Sequence, residues 1–314
     1  AGYIMKILVT GGTGMVGSSL REILPSATYV SSSDYDLRIK EHARNMFIKH
    51  SPDAVIHLAA RVGGVKANTD YVADFYADNI MINANVLSCA QEFKVNKLVS
   101  LLSTCVYPDS AIYPLTEEQV HNGAPHASNF GYAYAKRMLD VQSRALRRQY
   151  GCNFVTAIPN NLFGENDNFH LEDSHVIPAI IRKIYEAKQK NENVVLWGDG
   201  TPLREFTYSR DLADILLFLL ENYDGAEPIN VGNTKEVSIS EVAEIIADII
   251  EFRGEIMWDT TRPSGQHRKP SSNSKLIGLG WKQENYTSLR KSLTSACKWV
   301  ILNYPNRARW FISC

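Results

Sequence analysis

Lys6-Ile7-Leu8-Val9-Thr10-Gly11-Gly12-Thr13-Gly14-Met15-Val16-Gly17 is the stretch of this chain that decides its fold. An apolar strand over Met5–Thr10 runs straight into glycines at 11, 14 and 17, and a helix opens behind them. Without side chains, such a loop turns tightly and brings its backbone N–H groups against a pyrophosphate. The start of the helix adds its partial positive charge. A glycine-rich turn alone means little; one set between a strand and a helix carries the reading.

Outward from this loop, apolar runs at Thr28–Ser31, Ala54–His57, Lys97–Leu102 and Phe154–Ile158 alternate with amphipathic stretches such as Ile39–Lys49 and Tyr71–Glu92. That alternation predicts βαβ units around a parallel sheet. The unbroken apolarity of Ile7-Leu8-Val9 and Ala54-Val55-Ile56 suits strands covered on both faces. Past about residue 160 the pattern changes. Loops at 161–174, 198–203 and 262–274 separate helices at Val176–Gln189, Ser240–Ile250 and Leu289–Leu302 from short strands. The expected fold is α/β, a doubly wound parallel sheet with a smaller C-terminal portion closing a cleft over the carboxyl ends of the strands.

Composition narrows the partners. The 314 residues carry 33 basic and 34 acidic side chains, a net charge of −1, with no basic block, so no nucleic-acid partner is expected. No apolar run is long enough to span a bilayer, and no signal-peptide pattern opens the sequence. The five cysteines are odd in number and form no CxxC pair, which reads as free thiols in a reducing, cytoplasmic compartment. No metal-ligand cluster is present, so no metal is expected.

Tyr132 and Lys136 stand four apart, on one face of a helix. An ammonium beside a phenol favours the phenolate, so a lowered Tyr132 pKa is expected, suited to passing a proton to a developing alkoxide. Ser103 follows the strand Lys97–Leu102 and is placed to hold a substrate carbonyl. Tyr134 is the rival tyrosine, but its neighbour four residues on is Met138. After the second strand, Ser31-Ser32-Ser33 lacks the acid that binds the ribose hydroxyls of NAD, which favours NADP; a solvated turn is the alternative.

Together the glycine loop, Ser103 and the Tyr132/Lys136 pair resemble the extended short-chain dehydrogenase/reductase family. The resemblance implies a Rossmann-type NADP(H)-binding domain over residues 1–160. It implies a mainly nucleotide-sugar-binding lobe over 161–314, with some segments returning to the first domain. Cofactor contacts are expected at Gly11, Gly14, Met15, Val16, Gly17, Asp36, Leu37, Ala59, Tyr132 and Lys136. The segments Ser103-Thr104-Cys105-Val106-Tyr107-Pro108, Ser174-His175-Val176-Ile177-Pro178, Val62-Gly63-Gly64-Val65 and Trp197-Gly198-Asp199-Gly200 resemble one branch of that family. Its members invert C3 and C5 of a GDP-linked 4-keto-6-deoxy sugar and then reduce C4. By that likeness Cys105 is the base and His175 the acid. Asn161, Val176, Lys183, Trp197, Arg204 and Lys269 would hold the nucleotide. Asn160 stands where the family has Thr, and Ser33 where it has Lys. The family also implies a homodimer paired through the helices 71–92 and 132–149.

Alternatives stay open from the residues alone. Cys105 serves equally as a small buried apolar side chain, His175 as a helix cap, and Lys269 as a solvated charge. A nucleotide-sugar 4-epimerase with tightly bound NAD would need neither Cys105 nor His175. A non-enzymatic NADP-binding regulator would need no turnover at all.

Overall fold

The computed structural model describes residues 5–170 and 174–305; Cys314 and the tail from Arg309 lie outside them. Its elements run β1 (Ile7–Thr10), α1 (Met15–Ile23), β2 (Thr28–Tyr29), α2 (Lys40–His50), β3 (Ala54–His57), α3 (Val65–Asp70), α4 (Val72–Glu92), β4 (Lys97–Leu101), α5 (Phe130–Tyr150), β5 (Phe154–Pro159) and β6 (Asn161–Phe163). They continue with α6 (Val176–Lys190), β7 (Val194–Trp197), β8 (Leu203–Tyr208), α7 (Ser209–Asn222), β9 (Ile229–Val231), β10 (Glu236–Ser238), α8 (Ile239–Ile250), β11 (Ile256–Asp259), α9 (Ser274–Gly278) and α10 (Leu289–Asn303).

The main sheet has six strands in the order β2-β1-β3-β4-β5-β9, all parallel. Side chains alternate between its faces, and the apolar runs supply both. Leu8, Val55, Leu98 and Phe154 face the core shared with α2, α4 and α5. Their neighbours Val9, Ile56, Val99 and Val155 face Leu20 of α1 and Leu212 and Leu216 of α7. The doubly wound α/β expectation is therefore borne out.

The first five strands were foreseen to within two residues each, and β2 is the one that loses half its expected length. It ends at Tyr29, because Val30 passes into a turn closed by the carboxylate of Asp34, which accepts the Ser31 amide at 2.9 Å. A third core gathers α6, α8 and α10 around Phe163, Phe169, Ile180, Ile246 and Leu293. Two small sheets flank it, β10-β8-β6 and β11-β7. The chain does not remain there: α7 packs on α1, and β9 enters the main sheet beside β5.

Candidate active site

The glycine loop is dictated by close packing. Gly11 has φ +65°, and a Cβ on it would sit 2.8 Å from the Ala59 nitrogen. A Cβ on Gly17 would lie 2.6 Å from the Gly12 carbonyl, so α1 can rest on the loop only as glycine. Gly12, which the spacing rule passes over, lies against Tyr29 in the same way. Gly14 differs. It is the N-cap of α1, makes no side-chain capping bond, and a Cβ there would meet only the Gly11 oxygen, at 3.4 Å. Uncapped amides and a first turn without acids fit the pyrophosphate of a dinucleotide. Met15 and Val16 form that first turn, and Ala59 abuts Gly11.

A buried polar chain runs from this loop to α5, the helix of Tyr132 and Lys136. Thr10 Oγ1 accepts the amides of Leu58 and Ala59 at 3.1 and 3.2 Å. It also lies 2.7 Å from His57 Nδ1, while His57 Nε2 is 2.9 Å from Asn83 Oδ1. Asn83 Nδ2 donates to the Ala135 carbonyl in α5 at 3.4 Å. Since the Asn83 oxygen only accepts, Nε2 carries the imidazole proton and Thr10 donates to Nδ1. Burial pushes the His57 pKa down to about 4, so the ring stays neutral. In the sequence these three residues are isolated polar positions in apolar surroundings, with no motif to mark them.

Beyond β2, Leu37 is buried and Asp36 accepts from Arg38 Nε and Nη2, each at 2.9 Å. The Arg38 hydrogen bond holds the Asp36 carboxyl below its ordinary value. Ser31 and Ser33 join hydroxyls at 2.7 Å in a turn whose tip is exposed. Arg38 is the cation nearest in sequence to that turn, five residues beyond Ser33.

Ser103, Cys105, Tyr132 and Lys136 converge where β4 meets α5. Ser103 caps a single 3-10 turn, Thr104–Val106, its Oγ accepting the Cys105 amide at 3.5 Å. Cys105, half-buried, lies on the turn packed against α5, and its charge acts on Tyr132 and Lys136. Lys136 donates from Nζ to the Leu101 carbonyl at 2.8 Å, and its ammonium lies 5.9 Å from the centre of the Tyr132 ring. Phe75 of α4 packs edge-on against that ring.

Burial is the main influence on all three titrating groups. It pulls Lys136 down to about 8 and pushes the Cys105 thiol up, against Ser103, Lys136 and Arg137. It also pushes Tyr132 up, so the expected lowering of that phenol is not found. The ammonium points to a backbone carbonyl, and burial together with the Cys105 charge raises the phenol. Tyr134 lies with Met138 on the outer flank of α5, its ring over the buried Arg137 guanidinium.

His175 occupies the N-cap of α6 but its side chain makes no capping bond, so the capping alternative fails at the side chain. Burial of its ring lowers its pKa. Val176 follows, exposed on the first turn. Farther along α6, Lys183 Nζ lies 4.4 Å over the Trp197 ring, and Arg262 lies 4.8 Å over the same ring. Arg262 sits in a polar loop and was not singled out from the sequence. Burial lowers Arg204, and burial together with Arg204 lowers Lys269. Two such cations held together are what a diphosphate would relieve. Asn161 Nδ2 donates to the Glu205 carbonyl at 3.1 Å; Asn160 is buried, donating to the Asn233 carbonyl and accepting from Thr207. Asn160 is thus a structural residue joining β5 to β8.

Comparison with known proteins accords with this geometry. Residues 7–232 match the model of the NAD dependent epimerase/dehydratase family. The chain belongs to that family. Its resemblance to the extended short-chain dehydrogenase/reductases is thereby borne out. Among family members, a GDP-L-fucose synthase of Dictyostelium discoideum is 45% identical, covering 95% of this chain and 96% of its own. One from Escherichia coli is 35% identical over 95% and 97%. The structure of a GDP-L-fucose synthetase from Naegleria fowleri bound to NADP superposes with a TM-score of 0.91 at 41% identity, covering 98% and 96%. Among the described residues no metal-binding cluster occurs, and no helix is long and apolar enough to cross a membrane.

Proposed function

We propose that this chain is a GDP-L-fucose synthase. It inverts C3 and C5 of GDP-4-keto-6-deoxy-D-mannose and then reduces C4 with NADPH to give GDP-L-fucose. The observation that carries the reading is the position of Cys105, in a one-turn helix capped by Ser103 and facing the Tyr132/Lys136 pair. A plain reductase has no use for a thiol there. Relatives named GDP-L-fucose synthase at 45% and 35% identity support it.

In this mechanism Ser103 Oγ and the Tyr132 hydroxyl hold the C4 carbonyl oxygen. Their hydrogen bonds stabilise the enolate that forms when a proton leaves C3 or C5. The Cys105 thiolate takes that proton, and His175 returns one from the opposite face. NADPH, when bound along Gly11–Gly17, Asp36, Leu37 and Ala59, supplies a hydride to C4. Tyr132 then protonates the C4 oxygen, and Lys136 holds the cofactor ribose and offsets the phenolate left behind. Asn161, Val176, Lys183, Trp197, Arg204 and Lys269 bind the GDP moiety. Residues 1–160 chiefly serve the cofactor and 161–314 chiefly the sugar nucleotide.

The same reading makes the protein a cytoplasmic homodimer without a nucleic-acid partner. Support for pairing comes from the outer face of α4 and α5, where Tyr76, Phe130, Gly131, Tyr134 and Met138 line an apolar groove. Support for a reducing compartment comes from the free thiols of Cys89, Cys105, Cys152 and Cys297.

The test is turnover of GDP-4-keto-6-deoxymannose with NADPH in heavy water, for wild type and Cys105→Ser. The reading expects NADPH oxidation, deuterium at C3 and C5, and loss of that deuterium in the variant. Reduction without deuterium would leave a plain 4-reductase, and absence of NADPH oxidation would overturn the reading.

A further inference from the structure

Arg137 follows the catalytic lysine directly, yet its side chain takes no part in the mechanism above. It is 4% exposed, and among the described residues it forms no ion pair. Its guanidinium is satisfied by carbonyls alone. Nε and Nη2 both donate to the Val106 oxygen, at 3.0 and 2.7 Å, and Nη1 donates to the Gly123 oxygen at 2.9 Å. The Tyr134 ring covers its face, 5.2 Å from Cζ. A cation buried without a counter-charge is costly and calls for a compensating anion or a purpose. Val106 closes the single turn that carries Cys105, so the arginine grips the far end of that turn while Ser103 caps the near end. Its charge also favours the thiolate, after the Ser103 hydrogen bond and the Lys136 ammonium.

We propose that Arg137 is a positioning residue for the epimerisation half of the reaction: it clamps the Cys105 turn against α5 and supplies the fixed positive charge that stabilises the Cys105 thiolate. The proposal rests on Cys105 being the base. The groups facing the thiol are Ser103 from the end of β4 and Tyr132, Lys136 and Arg137 from α5. Lys136 is committed to the Leu101 carbonyl and to the cofactor, and it loses its proton near pH 8. Arg137 keeps its charge at every working pH. Lys136 acts on both halves of the reaction, whereas Arg137, tied to the Cys105 turn, acts on proton abstraction alone. Arginine suits that task because its rigid planar fork presents separate nitrogens, fixed in direction, to two carbonyls on different segments.

The test uses the full-length protein, wild type, Arg137→Met and Arg137→Lys, with two readouts. The first is the pH dependence of iodoacetamide alkylation at Cys105, followed by mass of the Cys105 peptide. The second is deuterium incorporation from heavy water at C3 and C5 of the 4-keto substrate, set against NADPH oxidation. Arg137→Met is expected to move the alkylation inflection up by about one pH unit. It should slow deuterium incorporation about tenfold at neutral pH, as the thiolate fraction falls, with a smaller effect on NADPH affinity. Arg137→Lys should restore much of the alkylation profile but less of the exchange rate, because the charge returns without the two-segment grip. Unchanged alkylation and exchange in a folded Arg137→Met would overturn the proposal. If that variant does not fold, Arg137→Lys decides alone, and exchange at the wild-type rate counts against the clamp. Should Cys105→Ser keep its exchange, the assignment of the base fails, while the alkylation profiles still report on Arg137.

Discussion

At the scale of single residues, the glycine loop shows how far a motif can be read and where it stops. The spacing of Gly11, Gly14 and Gly17 was legible, since each interval serves a different contact. The need for Gly12 was not, because it arises from Tyr29, a residue brought across by strand pairing. Gly17→Ala should be the most disruptive single methyl in the loop. The added carbon meets backbone atoms at 2.6 Å that have no side-chain freedom with which to give way. A loss of about 2 kcal/mol or more in chemical denaturation is expected, with weakened NADPH binding by fluorescence titration. That Tyr132 and Lys136 share one helix face was legible because four residues make about one helical turn. Arg137 and His57 were not, because their partners are backbone carbonyls and lone polar groups from distant segments. The ionisation of Tyr132 was misread for a related reason: desolvation is a property of the packed pocket, invisible in the order of residues.

Among the elements, β8 carries a feature with its own pH signature. Glu205 is 3% exposed, and its carboxylate accepts the amide and hydroxyl of Ser271 at 2.9 and 2.8 Å. It thereby fastens the segment bearing Lys269 to the strand bearing Arg204. Burial raises its pKa to about 7. A carboxyl that holds its proton more tightly folded than unfolded stabilises the fold below its unfolded pKa, and that stability is lost as pH rises through 7. Wild type should therefore lose up to about 3 kcal/mol between pH 4.5 and 7 from this group. Glu205→Gln should lack that slope, which urea denaturation across the range would show; parallel slopes would mean the carboxyl is ionised throughout. Helices and parallel strands were legible here by period and apolarity. The anchoring of the 262–274 loop was not, since a loop's place depends on what it lands on.

For the molecule as a whole, the proposed dimer makes the groove on α4 and α5 a contact surface. Met138→Glu puts a charge into it without touching Tyr132 or Lys136. Light scattering should then report half the wild-type mass, with NADPH still bound; an unchanged mass would place the interface elsewhere. The order of strands in the main sheet has a consequence for how the chain is made. Synthesis delivers β1 to β5 first, but the sixth place in the sheet waits for residues 229–231, and the cover over Val155 and Ala157 waits for α7. Throughout that interval β5 is an open edge with an apolar flank, the kind of surface that nascent chains pair wrongly and chaperones hold. The half of the molecule that carries the glycine loop thus becomes safe from aggregation only when the half that follows it is largely built.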